Sequence, residues 1–214
     1  MTATIERYQL LLRERPEEFK QSEKGLIHIV TDVDVMEKWQ DEHPEKSIGV
    51  VYESKFHLMV VDLVDGGGGN YYTYERILEQ NPGAAVVMPI TEDNKIVLLK
   101  QFRHAMREEQ LQLPRGFGTA KMTAEENARK EAGEEIGADD EEPIELGTVV
   151  ANSGLSGVRV KVFLFKVNDY RTVYGKEGIV EANAYTEEEL KTLIKEGKIN
   201  DGFTLSAWSL YANR

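Results

Sequence analysis

The 214-residue chain contains no cysteine, which excludes disulfides and thiolate zinc centres. It has no apolar run near the ~20 residues that a membrane span requires. The first residues, MTATIERYQLLLRERPEEF, carry acidic side chains and no apolar segment of signal-peptide type. A soluble cytoplasmic protein is therefore expected. Positive charge is also scarce: 26 Lys and Arg stand against 38 Asp and Glu, a net charge of −12. That balance argues against a nucleic-acid backbone or an anionic membrane as partner. Any polyanionic small molecule would have to be met by local arginines and a bound cation. There is no internal repeat, and the length suits one domain with an extension.

The densest chemistry lies in Thr123–Ala138, TAEENARKEAGEEIGA. Glu131, Glu134 and Glu135 stand at i, i+3 and i+4, which puts three carboxylates on one face of a helix. Like charges at that spacing each cost roughly 0.2–0.5 kcal/mol, a cost that a hard divalent cation would turn into a binding site. Thr123 and Glu126 form a capping box at the start, and Gly137 sits where a left-handed C-terminal residue belongs. A Pro/Gly turn, Leu113-Pro114-Arg115-Gly116-Phe117-Gly118, precedes the helix and would bring main-chain groups close to whatever it binds. The plain alternative is a solvated acidic helix. Arg103 is a candidate phosphate contact, because a guanidinium binds two phosphate oxygens at once, or else a surface arginine at a strand end. His104 has no second histidine at ligand spacing and reads as a packing or hydrogen-bonding residue.

Around this segment the pattern predicts a short amphipathic helix over residues 5–19 stopped at Pro16, and a second through Met36 and Trp39. Residues 48–64 read as strand, with 71–78 as hairpin partner. The intervening Gly66–Gly69 lacks the ending of a phosphate loop and reads as a hairpin turn. Asn81-Pro82-Gly83 marks a boundary, so the expected organisation is residues 1–80, a helical and strand subdomain, and residues 81–214. Strands follow at 84–89, 95–101, 145–151 and 158–167. Helices then open at the capping box Thr186–Glu189 and at residues 202–212. This order indicates a mixed sheet between helices, an α/β (α+β) fold.

From Gly116 onward the chain resembles the Nudix box, G-x5-E-x7-R-E-U-x-E-E-x-G-U with U aliphatic: Gly116, Glu131, Ala132, Glu134, Glu135, Gly137 and Ala138 fall in register. Met122 stands where the pattern has Glu and Lys130 where it has Arg, two residues that pair in the family to brace the loop. Gln101-Phe102-Arg103 followed by Leu113-Pro114-Arg115-Gly116-Phe117 is similar to the ADP-ribose pyrophosphatase branch. That resemblance implies a Nudix-type α/β/α sandwich with mixed sheet, plus an N-terminal helical and antiparallel-strand extension. It implies Mg2+ or Mn2+ on Glu131, Glu134, Glu135 and the main-chain carbonyl of Arg115. Glu134 or Glu135 would take a proton from water, and Arg103 and Arg115 would bind substrate. The substrate would be a nucleoside diphosphate linked to another moiety, ADP-ribose or an ADP-sugar, cleaved to AMP and a sugar phosphate. A homodimer through residues 48–78 is also implied.

The chain departs from the branch at Gln112, where Glu is usual, and at Val158, where a loop acid is usual. Asp169, Glu177 and Glu181 are possible substitutes. The rival reading is a catalytically weak Nudix-fold nucleotide-binding or regulatory module. A dinucleotide-dependent oxidoreductase is discounted, since Gly116-x-Gly118 lacks the third glycine.

Overall fold

The computed structural model describes residues 3–21, 23–25, 27–138 and 142–214. The chain divides into two compact units, one of residues 1–80 with 152–158, the other of 81–151 with 159–214.

The first unit contains α1 (Ala3–Glu14), β1 (His28–Ile29), α2 (Val33–Glu42), β2 (Gly49–Glu53), β3 (His57–Asp65) and β4 (Tyr71–Glu79). Pro16, which cannot donate to a continuing helix, ends α1 and opens a 3-10 turn to Phe19. Strand β3 pairs antiparallel with β1, β2 and β4. Ile5, Tyr8 and Leu11 of α1 share a core with Met36, Trp39, Leu58, Val60 and Leu63. One charge lies inside it: Asp62 accepts from the Tyr8 hydroxyl and from Arg76, so a buried carboxylate is compensated. The bonds that join the segment 152–158 to this unit include Ile77 N–H to the Leu155 carbonyl at 2.9 Å and the Tyr74 hydroxyl to the Gly154 carbonyl at 2.7 Å.

The second unit contains β5 (Ala85–Thr91), β6 (Ile96–Arg103), β7 (Glu108–Gln112), β8 (Arg115–Gly116), α3 (Ala124–Ile136), β9 (Ile144–Val149), β10 (Val160–Val167), β11 (Ile179–Tyr185), α4 (Glu187–Lys195) and α5 (Gly202–Ala212). Among the described residues its seven strands form one sheet, ordered β11-β6-β5-β10-β9, with β7 on β6 and β8 on β5. The β5–β10 pairing is parallel and the others are antiparallel, so the sheet is mixed. Ala128, Ala132 and Ile136 of α3 pack on alternate residues of the sheet, including Ala85, Val87, Val97, Leu99, Phe163 and Phe165. Two of the three helix residues are alanine, which brings the helix axis close to the strands and its polar face close to β8. The intervening residues Val86, Met88, Leu98 and Val162 are buried as well, while α5 packs against β5 and β9.

Several local readings change, the two-residue strands β1 and β8 among them. Residues 48–64 are two strands, because Ser54 Oγ accepts from the amides of Phe56 and His57 and turns the chain. Strands β7 and β11 lie where no strand is expected. EEQLQ of β7 has little apolar pattern, whereas IVEANAY of β11 alternates Val180, Ala182 and Ala184 with Glu181 and Asn183; both strands are held by backbone pairing to β6, the context dependence typical of strands.

Candidate functional site

Helix α3 begins and ends as its sequence dictates. Thr123 Oγ1 accepts from Glu126 N–H while Glu126 accepts from Thr123 N–H, and Gly137 closes the helix at φ 69°. The loop before it is pressed onto the acidic face. A Cβ on Gly116 would lie 2.2 Å from the Glu131 carboxyl carbon, so any larger residue there would displace that carboxylate. Arg115 N–H donates to Glu135 Oε2 at 2.9 Å. Glu131 and Glu135 are both buried, whereas Glu134 is half exposed.

The brace between loop and helix is an amide. Buried Asn127 donates Nδ2 to the Phe117 carbonyl at 2.9 Å and accepts from Thr119 Oγ1 at 3.0 Å. Lys130, at the family's arginine position, instead lies 2.8 Å from Glu131 Oε1 and 3.2 Å from Glu134 Oε2. Lys176 reaches Glu134 Oε2 at 2.9 Å from the segment before β11. Among the described residues no three or more His, Asp or Glu side chains converge as a ready-made metal group; two of the three expected carboxylates are turned to lysines.

The two arginines differ. The Arg115 guanidinium is committed to structure: Nη1 lies 2.6 Å from Asp201 Oδ1, and the group stacks on the Phe203 ring. Asp201 also caps α5 through Thr204 N–H and Oγ1. Arg103 at the end of β6 has no carboxylate within ion-pair distance among the described residues and donates to Gln101 Oε1 at 3.3 Å. Gln101 is buried; it also accepts from Gln112 Nε2 and donates to the Glu177 carbonyl at 2.9 Å. Glu177 is thereby held in a left-handed conformation, φ 49°, which is uncommon for a residue with a side chain.

Electrostatics reflect this crowding. Burial pushes the Glu135 carboxyl up to about 8, with the charges of Glu131 and Glu177 adding to the rise, while the Arg115 N–H and the Arg103 charge oppose it. Burial lowers the Arg103 pKa, and the positive charge of Arg115 lowers it further. The hydrogen bond from Lys176 holds Glu134 below the ordinary range, against its partial burial and with help from Lys130.

Of the residues singled out by sequence, Glu131, Glu135, Arg103 and the Arg115 main chain are brought together electrostatically or by hydrogen bonds. Val158 lies in the 152–158 segment that belongs to the first unit. Sequence reasoning named Gln101 only within the Gln101-Phe102-Arg103 resemblance and did not single out Asn127 or Lys176. An asparagine inside a helix is unfavourable, which is the one signal that marked Asn127; Lys176 had none.

A mixed sheet carrying a glycine loop pressed against a helix of carboxylates defines a Nudix-type protein. The NUDIX domain family model matches residues 80–204, and the chain belongs to that family. It is 25% identical over 163 residues to the ADP-ribose pyrophosphatase of Bacillus subtilis (strain 168), covering 74% of this chain and 88% of the relative. It is 26% identical over 160 residues to the methanol dehydrogenase activator of Bacillus methanolicus, covering 73% and 85%. Among solved structures, one described as the crystal structure of ADP compounds hydrolase superposes with a TM-score of 0.61 at 16% identity, covering 78% of this chain and 95% of that one. The fold is thus the Nudix α/β fold with mixed sheet, and the chain is ADP-ribose pyrophosphatase-like.

Proposed function

We propose that the protein is a divalent-cation-dependent pyrophosphohydrolase that cleaves a nucleoside diphosphate linked to another moiety, ADP-ribose or an ADP-sugar, to AMP and a sugar phosphate. The observation that carries this reading is a buried carboxylate, Glu135, raised to about 8 and flanked by Glu131, beside an arginine without a carboxylate partner among the described residues. Strongly perturbed acids gathered with an open cation are typical of reactive sites.

The donor types suit a hard cation, whose entry would displace the lysines from Glu131 and Glu134. Glu131, Glu134 and Glu135 supply carboxylate oxygens, and Glu135 is costly to ionise without a neighbouring positive charge. These three, with the main-chain carbonyl of Arg115, would hold Mg2+ or Mn2+. When bound, such an ion supplies charge neutralisation at the diphosphate and a lowered pKa for water. The chain's own groups do the rest. Arg103 binds phosphate oxygens, and Arg115 contributes its main chain, held by the Asp201 pair. Glu134 or Glu135 takes a proton from water. Glu177 takes the part of the absent loop acid. Its charge is felt at Glu135 and Arg103, whereas Glu181 pairs with Lys100 and accepts from Asn183 and Asp169 accepts from Tyr170 N–H. The assembly we assign is a homodimer through residues 48–78.

Incubating the protein with nucleoside diphosphate derivatives and Mg2+ or Mn2+, and weighing the products, tests this reading. AMP and a sugar phosphate, lost in Glu177→Gln and retained in Glu181→Gln, are expected. Tight ADP-ribose binding without products would favour the second reading, a regulatory nucleotide-binding module. That alternative draws on the lysines seated on Glu131 and Glu134, and on the likeness to a relative named as an activator.

A further inference from the structure

Lys176 has one ion-pair partner among the described residues, Glu134, at 2.9 Å. Lys130 is different: it lies on α3 itself and is shared between Glu131 at 2.8 Å and Glu134 at 3.2 Å. Lys176 arrives from outside the helix, in the short turn Lys176–Gly178 before β11. Its neighbour Glu177 is tied through its carbonyl to Gln101, the same side chain that accepts from Arg103. The turn therefore joins the acidic face of α3 to the open arginine of β6. An ammonium and a divalent cation cannot share one carboxylate cheaply, since both are positive and the lysine offers only donors. A cation entering at Glu134 would leave the Lys176 ammonium without its carboxylate, and an anion is the group that restores balance.

We propose that Lys176 exchanges partners. It neutralises Glu134 in the metal-free protein and turns to a phosphate oxygen of the nucleoside diphosphate once a divalent cation holds Glu134. This rests on the functional reading above and adds a phosphate contact that requires the metal. Lysine suits the exchange because its charge sits on a flexible stem with freely oriented donors, and a half-exposed ion pair is weak enough to be given up. The coupling is reciprocal: metal promotes nucleotide binding through Lys176, and nucleotide promotes metal binding to the same degree.

The test uses the full chain with Lys176→Met and Lys176→Arg, Mn2+ binding followed by electron paramagnetic resonance, and calorimetry with a methylene-bridged, uncleavable analogue of ADP-ribose. Without nucleotide, Lys176→Met should bind Mn2+ roughly two- to five-fold more tightly, because a competing cation is gone. With Mg2+ present, the same variant should bind the analogue about tenfold more weakly, the scale of one charge-assisted hydrogen bond, and Lys176→Arg should restore it. Without metal, analogue binding should match wild type. A variant whose Mn2+ affinity is unchanged or weaker, or whose loss of analogue binding is the same with and without metal, overturns the exchange while leaving the functional reading standing. A wild-type protein that binds neither Mn2+ nor the analogue overturns both.

Discussion

Arg115 serves Glu135 with its main chain and Asp201 with its side chain: the amide lies 2.9 Å from Glu135 Oε2 while the guanidinium pairs with Asp201 at 2.6 Å. One residue thus ties the acidic helix α3 to the N-terminus of α5. The buried pair fixes the loop backbone that faces the carboxylates, so stability and site geometry are linked here.

Removing Asp201 tests that link. Asp201→Ala would leave a mostly buried guanidinium uncompensated and α5 uncapped. A loss of about 3–5 kcal/mol is expected, the usual cost of breaking a buried pair from one side. Urea unfolding reads it directly, and a loss below about 1 kcal/mol would show that the pair does not hold the loop.

The raised Glu135 carboxyl makes metal-free stability depend on pH. The folded protein keeps this proton up to about 8, whereas the unfolded chain releases it near the ordinary 4.5. Between those values the native state binds more protons, so stability falls as pH rises through this window and levels off above it. Glu135→Gln should flatten the fall when urea midpoints in a chelator are compared at about pH 5.5 and about pH 8.5. Equal slopes in wild type and variant would reject the assignment.

Divalent cations should raise the melting temperature, since a ligand of the native state alone stabilises by about 2.7 kcal/mol at a hundred times its dissociation constant. Glu134→Gln and Glu135→Gln should reduce that response and abolish hydrolysis. If both variants respond to Mg2+ or Mn2+ as wild type does, the carboxylates of α3 are not the ligands.

The exposed aromatics of the first unit bear on assembly. Tyr52 is 60% exposed and Tyr71 38%, and a two-fold dimer would cover this face. Light scattering at micromolar concentration should find two copies, and deletion of residues 1–80 should cost solubility and substrate binding. A monomer together with a soluble, equally active truncation would remove the dimer from the proposal.

Helix α3 was readable because its signals are local: a capping box, a terminating glycine and an apolar face of Ala128, Ala132 and Ile136 are set by residues three and four apart. The same holds for α5, whose bounds match the expected 202–212. Strand β7 was not readable, since a polar sequence such as EEQLQ becomes a strand only when a neighbour offers backbone partners.

By itself, the sequence determined that three glutamates share a helical face, that a glycine loop precedes them, and that the family box is present with Met122 and Lys130 out of pattern. Tertiary structure decided what those groups touch. It turned the Arg115 guanidinium to Asp201, replaced the expected brace with Asn127, brought Lys176 to Glu134 across 42 positions (176 − 134), and left Arg103 without a carboxylate partner among the described residues. The physical reason is range. Helix periodicity and capping act over one turn of chain, whereas burial, ion pairing and the pKa shift of Glu135 depend on groups that only the folded sheet and its turns bring into contact.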